Sequence, residues 1–314
     1  MASRVPMTSD TPIECPVCEE GRAAPHAEVD GHDYFECRAC GSLFVDPDVL
    51  AAMDRGESSV GCYAGEYWEQ ERKAALERAH GIGLVLSGEA ILYCRRPVER
   101  FLDVGAGAGE LLRQLQQLLD PEGAIFHGVE KFPPDWAARL PGVHHGDVGA
   151  LEGRYDAGVC IEVVEHLTPA MLDAIVAGLA RLSNPGAFWI FNTGMPAYVK
   201  QEDPGYLDPL RRGHVVSYSV EGLAKRFAAH GFHIGALPGR SFAFYAEYRR
   251  EADLAFDTRF YQPLPANRAL LDRNGLLACA AFETARSYFF QAESQARTRW
   301  ALALQAELRA LKGW

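Results

Sequence analysis

The sequence predicts an α/β protein whose mostly parallel sheet is covered by helices on both faces. Short apolar runs alternate with helical segments between residues 98 and 250, and this alternation is typical of a parallel sheet flanked by helices. Two cysteine pairs near the start and a helical pattern near the end lie outside that alternation. We therefore expect four parts, at 1–50, 51–97, 98–250 and 251–314.

The first part carries two C-x-x-C pairs that are separated by eighteen residues. In a reducing compartment such pairs indicate a zinc site rather than disulfides, because each forms a tight turn and four thiolates can surround the metal as a tetrahedron. Two accidental pairs are the alternative, and a redox role is disfavoured because no strand-to-helix turn follows either pair. The predicted ligands of this structural zinc are Cys15, Cys18, Cys37 and Cys40.

The second part is charged and helical in pattern, with EYWEQERKAALERAHGIGLVL at its centre. Tyr63 and Tyr67 stand near its start. Their rings could close over a ligand bound to the third part, or they could pack in the core, and the sequence leaves both interpretations open.

The third part opens with RFLDVGAGAGELL, in which a short apolar strand, Phe101–Val104, runs into three glycines. Glycine lets the backbone turn sharply and approach a ligand without a Cβ in the way. The helix expected after the glycines directs its amino-terminus towards the same place, which favours polar or anionic ligand groups. Gly105, Gly107 and Gly109 are therefore candidate ligand-binding residues.

This turn departs from the dinucleotide fingerprint G-x-G-x-x-G, whose third glycine would fall on Glu110. Its pattern is Asp-x-Gly-x-Gly-x-Gly, with Asp103 at the end of the strand. A carboxylate at that position suits a ligand with an ammonium group and hydroxyls better than it suits a pyrophosphate.

Further strands and two capped helices follow. Thr168 with Pro169 predicts the start of one helix, which stops before a Pro-Gly pair, and Ser219 predicts the start of another, which ends at Gly231. The expected strands are 125–130, 143–147, 155–162 and 187–192, and the segments 232–237 and 242–248 form a closing hairpin.

Acidic residues stand at the ends of the strands. Glu130 ends the second strand, twenty-one residues beyond Gly109, where a carboxylate can accept hydrogen bonds from both hydroxyls of a ribose. Asp147 ends the third strand, where it could accept a hydrogen bond from an adenine amino group. Because such sheets bind ligands at the carboxyl ends of their strands, Asp103, Glu130 and Asp147 together indicate one site there.

The fourth part differs from the alternating region. Trp300, Leu304, Leu308 and Leu311 fall on one helical stripe. This stripe either docks on the protein's own core or makes the contact between two subunits of a homodimer. In both cases we expect it to be buried.

The composition limits the cellular compartment and the kinds of binding partner that we expect. The chain has 314 residues, 48% of them apolar, and its formal net charge of −11 disfavours broad binding to nucleic-acid phosphates. No run of uncharged apolar residues is long enough to span a bilayer. The first residues, MASRVPMTSDTPIE, lack the apolar stretch of a signal peptide. We expect a cytoplasmic protein that does not act at a membrane.

The motifs DVGAGAG, GVE, GD, CIEVVEHL and NPGAFWIFNTG follow one another in this order. Over residues 98–248 the chain resembles a class I S-adenosylmethionine-dependent methyltransferase, whose sheet is Rossmann-like. The expected zinc ribbon in front of such a domain resembles the arrangement in a bacterial subgroup that methylates sugars and natural products. Its members include C-methyltransferases of nucleotide-linked deoxysugars. Those enzymes usually carry a larger carboxyl-terminal domain than this chain has.

The resemblance implies that S-adenosylmethionine is the methyl donor. Its methionine end would lie on the turn from Asp103 to Gly109, its ribose on Glu130 and its adenine near Asp147. Glu162, at the exit of the fourth strand, would face the sulfonium, and Tyr67 is the candidate residue that closes over the cofactor.

A hydroxyl or an acidic C–H acceptor also needs a base. Glu165 and His166 follow the fourth strand, and His214 stands in RRGHVVSYS before a helix, as in family members with a histidine on the substrate side. Histidine titrates near neutrality. We expect His214 to be the base, with His166 as the alternative, although His166 could instead cap a helix or pack on the cofactor.

Three functions compete. We expect methyl transfer to oxygen or carbon of a small-molecule acceptor, either a sugar or a secondary metabolite. An RNA methyltransferase would hold nucleic acid with the cysteine module, but that module contains few basic residues. A non-catalytic scaffold of the same fold would not need the glycine turn and the acids at the strand ends.

Overall fold

The computed structural model describes residues 13–57, 65–134, 140–250 and 256–312. The strands in these ranges are β1 (Ile13–Glu14), β2 (Arg22–Val29), β3 (His32–Cys37), β4 (Leu43–Val45), β5 (Phe101–Val104), β6 (Phe126–Glu130), β7 (Val143–His145), β8 (Tyr155–Ile161), β9 (Ser183–Asn192), β10 (Val216–Ser217), β11 (Phe232–Ala236) and β12 (Ala243–Tyr248). The α-helices are α1 (Pro47–Asp54), α2 (Gly65–His80), α3 (Ile82–Tyr93), α4 (Glu110–Leu119), α5 (Pro169–Leu182), α6 (Pro196–Gln201), α7 (Val220–Ala229), α8 (Pro265–Leu271) and α9 (Gly275–Lys312). Short 3₁₀ helices cover Val148–Ala150, Val164–His166 and Phe256–Tyr261.

The large sheet has seven strands in the order β11-β12-β9-β8-β5-β6-β7. The strands from β9 to β7 run parallel, and β12 and β11 close the other edge as an antiparallel hairpin. The chain runs outward from β5 through β6 to β7 and then returns to β8 on the other side of β5. This reversal makes a topological switch point between β5 and β8, which is where such sheets bind ligands.

Two apolar clusters cover the two faces of this sheet. Along β9, Phe188 and Ile190 belong to the cluster that includes the helices α3, α4 and α9, whereas Trp189 and Phe191 belong to the cluster that includes α5 and α7. Successive side chains of a strand point to opposite faces. The predicted architecture, a mostly parallel sheet with helices on both sides, is therefore confirmed.

The capping predictions are confirmed as well. Thr168 Oγ1 accepts a hydrogen bond from the backbone N–H of Met171 at the start of α5, and Ser219 Oγ accepts one from Gly222 at the start of α7. The strand boundaries differ slightly. The strand β9 begins at Ser183 rather than at residue 187, and residues 184–187 bulge out of the ladder because Tyr155 pairs with Ser183 and Ala157 pairs with Phe188.

The cysteine module forms a second, antiparallel sheet in the order β1-β2-β3-β4-β10. Its last strand, β10, belongs to the third part of the chain, residues 98–250. Val216 of this strand pairs with Phe44, and Ser217 pairs with Leu43. Ser42 Oγ and Ser219 Oγ also lie 2.9 Å apart. The module therefore shares one sheet and one apolar cluster with the region that carries the candidate site.

Of the two alternatives for the tail stripe, docking on the chain's own core is wrong, and the contact between two subunits stays a prediction. Only the first turns of α9 are buried, through Leu277, Ala281 and Ala285, whereas Trp300 is 68% exposed and Leu311 is 83% exposed. Leu304 and Leu308 are exposed as well. A helix of 38 residues is about 57 Å long, so its second half extends past the surface that the first half covers. No helix among the described residues is long and apolar enough to cross a membrane.

Candidate functional site

The glycine turn after β5 has the geometry that its sequence predicts. Gly105 and Gly109 have φ angles of 79° and 78°, in the left-handed region that favours glycine. A Cβ on Gly105 would lie 2.3 Å from Cγ2 of Val163, and one on Gly109 would lie 2.5 Å from Cδ1 of Leu140. Both positions therefore favour glycine for conformation, and Gly105 favours it for space as well, whereas the Leu140 side chain beside Gly109 could shift. Gly107 also has a positive φ, of 56°.

Glu130 holds this turn from the neighbouring strand. Its Oε2 accepts a hydrogen bond of 2.8 Å from the backbone N–H of Gly107, and its Oε1 accepts one of 2.7 Å from Phe132. Burial, with a further contribution from the charge of Glu130, raises the pKa of Asp103 to about 7. A positively charged ligand group beside the turn would offset this repulsion between carboxylates.

Two adjoining cavities follow the turn and share Gly105 and Glu162. The ribose-side cavity, of about 140 Å³, lies between the ends of β5 and β6 and is lined by Glu130, Phe132 and Asp147 together with apolar side chains. Asp147 is exposed there, and its Oδ1 lies 2.9 Å from Nζ of Lys131. The turn-side cavity, of about 100 Å³, is lined by the glycine turn, Asp103 and Arg78.

A third cavity, of about 330 Å³, opens on the other side of Glu162. We call it the polar cavity, because most of the residues that line it carry charged, amide or phenolic groups. These are Arg78, Glu162, Asn192, Tyr198, Glu202, Asp203, Tyr206 and Arg212. Glu162 lines all three cavities, and its φ of 52° is an unusual backbone conformation for a residue with a side chain. Residues held in such conformations often cluster at functional sites.

Glu165, His166 and His214 form a cluster of side chains. Oε1 of Glu165 is 4.0 Å from Nε2 of His166 and 3.9 Å from Nε2 of His214. The two imidazole rings meet edge to face with their centroids 4.8 Å apart. All three side chains are buried, and His166 also lines the ribose-side cavity. The three predicted catalytic residues are therefore neighbours, although the two histidines are 48 positions apart in the chain.

Burial decides the charge state of these groups. It lowers the pKa of His166 to about 4, and together with the neighbouring His166 it lowers the pKa of His214 well below its usual range. Burial also raises the pKa of Glu165 well above its usual range, and the charge of Glu162 adds to this effect. Both histidines are therefore neutral near pH 7, so the expectation that they titrate near neutrality is wrong because both rings are buried. Each neutral ring still has one nitrogen that can accept a proton.

The four cysteines of the first module form a compact cluster. Sγ of Cys15 lies 3.9 Å from Sγ of Cys40, and Sγ of Cys18 lies 3.7 Å from Sγ of Cys37. Four thiolates at about 2.3 Å from one zinc ion would be roughly 3.8 Å apart at tetrahedral angles. Backbone N–H groups of Ala39 and Cys40 also approach the Cys37 sulfur at 3.4 Å. The cluster is therefore compatible with a zinc ribbon.

Two predicted aromatic residues are not part of this description. Tyr67 lies in α2, but its side chain lies outside the part of the chain that the structure describes. Tyr63 lies outside the described residues altogether.

Several residues that line the cavities escaped the sequence analysis. Arg78 lines both the turn-side cavity and the polar cavity, and Asn192, Tyr198, Tyr206 and Arg212 line the polar cavity. Tyr206 and Arg212 lie within eight residues of His214, so their nearness to it in the chain was an available signal. Nothing in the local sequence of α2 distinguishes Arg78 from Arg72, the other arginine of that helix.

Comparison with known proteins identifies the family of the chain. The family model described as a methyltransferase domain matches residues 64–237, which is more than half of the chain. None of the curated proteins matches the chain in sequence.

Several solved structures are similar to the chain. Magnesium protoporphyrin IX methyltransferase of Synechocystis PCC 6803, with bound S-adenosylhomocysteine, is 16% identical with a TM-score of 0.39, and the match covers 59% of this chain and 97% of that one. An O-methyltransferase of neocarzinostatin biosynthesis is 19% identical with a TM-score of 0.43, and the match covers 58% and 61%. Mitomycin 7-O-methyltransferase is 17% identical with a TM-score of 0.41, and the match covers 59% and 60%. Because the family model spans more than half of the chain, the protein belongs to the methyltransferase-domain family and is an S-adenosylmethionine-dependent methyltransferase.

Proposed function

We propose that this enzyme transfers the methyl group of S-adenosylmethionine to an oxygen or carbon atom of a polar small molecule, either a sugar or a natural-product intermediate. The observation that carries this proposal is Glu162, which lines the two cavities beside the glycine turn and the polar cavity. A sulfonium near Glu162 would face an acceptor in the polar cavity. Such a site mainly aligns donor and acceptor, because the donor is already activated.

The cofactor would lie along the two cavities that share Gly105. Asp103 and the turn to Gly109 would hold the methionine end, where the ammonium group offsets the carboxylate charges described above. Glu130 would accept hydrogen bonds from the ribose hydroxyls, and Asp147 would lie near the adenine. Tyr67 would close over the cofactor from α2.

The polar cavity supports a hydroxyl-rich acceptor. Most of the residues that line it carry charged, amide or phenolic groups, and a sugar presents hydroxyls that can exchange hydrogen bonds with all three kinds. Asp203 pairs with Arg212 at 3.0 Å, so the wall contains an ordered ion pair with several donors and acceptors. A flat apolar acceptor would exclude water from these groups without offering them hydrogen bonds, which is unfavourable.

Transfer to a hydroxyl breaks the bond between the sulfonium sulfur and the methyl carbon and forms the new O–C bond, and the hydroxyl proton goes to a base. We assign this role to His214, with His166 as the alternative and Glu165 beside both. Nδ1 of His214 lies 2.7 Å from the carbonyl oxygen of Tyr206, which can only accept a hydrogen bond. The proton of the neutral ring is therefore on Nδ1, and Nε2 is the nitrogen that can accept the acceptor's proton.

We also propose that Cys15, Cys18, Cys37 and Cys40 hold one structural zinc ion. The support is the sulfur spacing and the N–H groups that approach Cys37. A four-thiolate site has no open position, so the zinc would stabilise the module and take no part in methyl transfer.

The function is tested by incubating the full-length protein with methyl-labelled S-adenosylmethionine and three acceptor classes, which are nucleotide sugars, hydroxylated aromatic compounds and RNA. We expect label in a nucleotide sugar, and label in RNA alone would overturn the proposal. Arg212→Ala should raise KM for the acceptor with little change in cofactor affinity. Arg211→Ala is the matched control, because Arg211 is exposed and is not among the residues that line the polar cavity.

A further inference from the structure

The second half of α9 projects from the molecule into solvent. Every residue from Glu293 to Leu311 is exposed, and large apolar side chains are among them. A helix of this length is only marginally stable in water by itself, because most of the stability of a helix in a protein comes from packing of an apolar face. The described part of the chain supplies no such packing here, so this half of α9 lacks the contact that would stabilise it.

Seven side chains of this region fall on one stripe of the helix. Their spacing alternates between three and four residues, as in the seam along which two helices pack in a coiled coil. We call this stripe the α9 seam. Its members are Phe290, Glu293, Arg297, Trp300, Leu304, Glu307 and Leu311. Four members are apolar and three are charged, so the seam is not a uniform apolar surface.

The charges on the α9 seam select its partner. Arg297 pairs with Glu293 of the preceding turn at 3.5 Å, but this pair is exposed to solvent and contributes little. An apolar groove would remove Arg297 and Glu307 from water without offering either an opposite charge, which is unfavourable. A second copy of the same helix offers both opposite charges, provided that the two helices run antiparallel. In a parallel pair each charge would face its own like charge.

We propose that the α9 seam packs against the same seam of a second copy of this chain, as an antiparallel pair of helices related by a twofold axis. With the axis at residue 302, Trp300 lies opposite Leu304 of the partner subunit. In the next layer Arg297 lies opposite Glu307 of the partner subunit, and the twofold axis repeats both contacts. A twofold contact closes on itself, so the assembly stops at a dimer.

The antiparallel arrangement also leaves room for the rest of each chain. Residues before 290 in one copy lie beyond residue 314 of the other, which keeps the two folded bodies at opposite ends of the pair. Glu293 lies opposite Leu311 of the partner subunit, near the end of the seam, where its carboxylate can stay in water. A charged pair within an otherwise apolar seam is a known device for fixing the register and orientation of paired helices.

The size of the contact is that of a small stable interface. The seam from Phe290 to Leu311 is about 33 Å long. Its four apolar members and the neighbouring Leu308 are 40–83% exposed in the single chain. Burying them in two copies removes on the order of 1,000 Å² of apolar surface from water, and the polar atoms around them bring the total near the ~1,200 Å² of the smaller stable interfaces. We therefore expect a dimer that dissociates on dilution.

The test is sedimentation velocity of the full-length protein over a wide range of concentrations. Arg297→Glu and Glu307→Arg each place like charges opposite one another in two layers, so each should raise the dissociation constant of the dimer at least ~10-fold. The double variant Arg297→Glu/Glu307→Arg brings opposite charges together again and should return the constant close to that of the wild type. Arg299→Glu is the matched control, because it makes the same change of charge on the outer side of the helix.

The double variant separates contacts between chains from effects within one chain. Arg297→Glu also removes the pair with Glu293, and the double variant does not restore that pair, so recovery of the dimer has to come from the contact between the two copies. Circular dichroism checks that all variants keep their helix content.

Three results would overturn the proposal. They are a wild type that stays monomeric at every concentration, a dimer that both single variants leave unchanged, and a double variant that does not recover. A parallel pair would not recover, because like charges still face each other in the double variant. These measurements do not involve methyl transfer, so the proposed function stands or fails separately.

Discussion

The protein contains two clusters of side chains of the types that can bind a metal ion, and the clusters differ in their ligand atoms and in their burial. The cysteine cluster consists of four sulfur atoms on turns of a small antiparallel sheet. The Glu165–His166–His214 cluster consists of mixed oxygen and nitrogen atoms, fully buried beside the carboxyl ends of the parallel strands. Four thiolates could close the coordination shell of a structural zinc ion, whereas Glu165, His166 and His214 are the candidate groups for proton transfer. Under these proposals the first cluster would stabilise the fold and the second would take part in methyl transfer.

The two clusters are nevertheless connected by β10. This strand pairs with β4 of the cysteine module, and His214 lies two residues before it. The hydroxyl of Tyr34 in β3 donates a hydrogen bond of 2.7 Å to the carbonyl oxygen of His214. The cysteine module therefore supports the loop that presents His214, so loss of the first cluster should disturb the second.

The largest effect is expected from Cys37→Ser. The purified wild type should contain one zinc ion per chain at the cysteines, and the variant should release it. Structural zinc binding contributes about 10–16 kcal/mol in small zinc modules, so the module should unfold without it. Metal analysis and proteolysis of residues 13–57 measure the outcome. Cys279→Ser, at an exposed cysteine outside the cluster, is the control. Absence of zinc from freshly prepared protein would contradict the proposed structural zinc site at the four cysteines.

The next effect in size concerns turnover. His214→Ala should lower kcat by about 10²–10⁴-fold, which is the usual contribution of a positioned base, and leave S-adenosylmethionine affinity nearly unchanged. His166→Ala is made in parallel, and the exposed His145→Ala is the control. If neither His214→Ala nor His166→Ala slows turnover, the acceptor ionises unaided and the second cluster has no part in proton transfer.

A smaller effect is expected at the ribose. Glu130→Ala should weaken S-adenosylmethionine binding by about 1.5–3 kcal/mol, the cost of losing a charged hydrogen-bond partner. Titration calorimetry measures it, with NAD as the ligand that should not bind. Glu122→Ala, an exposed acid on the loop before β6, is the matched control. Unchanged affinity in Glu130→Ala would show that the ribose does not bind at the end of β6.

The pH dependence of cofactor binding should follow Asp103, whose pKa burial and Glu130 raise to about 7. An ammonium group binds the ionised carboxylate, so affinity should be full above pH 7 and fall as the pH drops below it. The loss should approach tenfold per pH unit, or about 1.4 kcal/mol. Calorimetry between pH 6 and 8 measures this slope, and Asp103→Asn should abolish it. An equal slope in that variant would place the titrating group elsewhere.

The smallest effect on the fold is expected from removal of the end of α9. A chain that ends at residue 291 keeps Leu277, Ala281 and Ala285, so its unfolding temperature and cofactor affinity should stay close to those of the full chain. If Trp300 and its neighbours make the contact of a homodimer, light scattering should show that the full chain is a dimer and that the shortened chain is a monomer. An unchanged mass would show that the stripe is not an assembly element.

Local sequence patterns were sufficient for the elements and for much of the site. The turn from Asp103 to Gly109 depends on steric limits at three glycines, and the start of α5 depends on one side chain and the N–H groups beside it. The cysteine pairs likewise need only four residues each to form their turns. Interactions of this kind connect residues that are a few positions apart, so they can be recognised in the sequence without knowledge of the fold.

The remaining features depend on segments that are far apart in the chain. The sequence placed Glu165 and His214 on the same side of the sheet but could not show that their atoms lie 3.9 Å apart, nor that β10 completes the sheet of the cysteine module. It also could not decide whether the Trp300 stripe reaches the core. Such contacts depend on which surfaces are removed from water when the whole chain folds, and burial is a property of the assembled structure rather than of neighbouring residues.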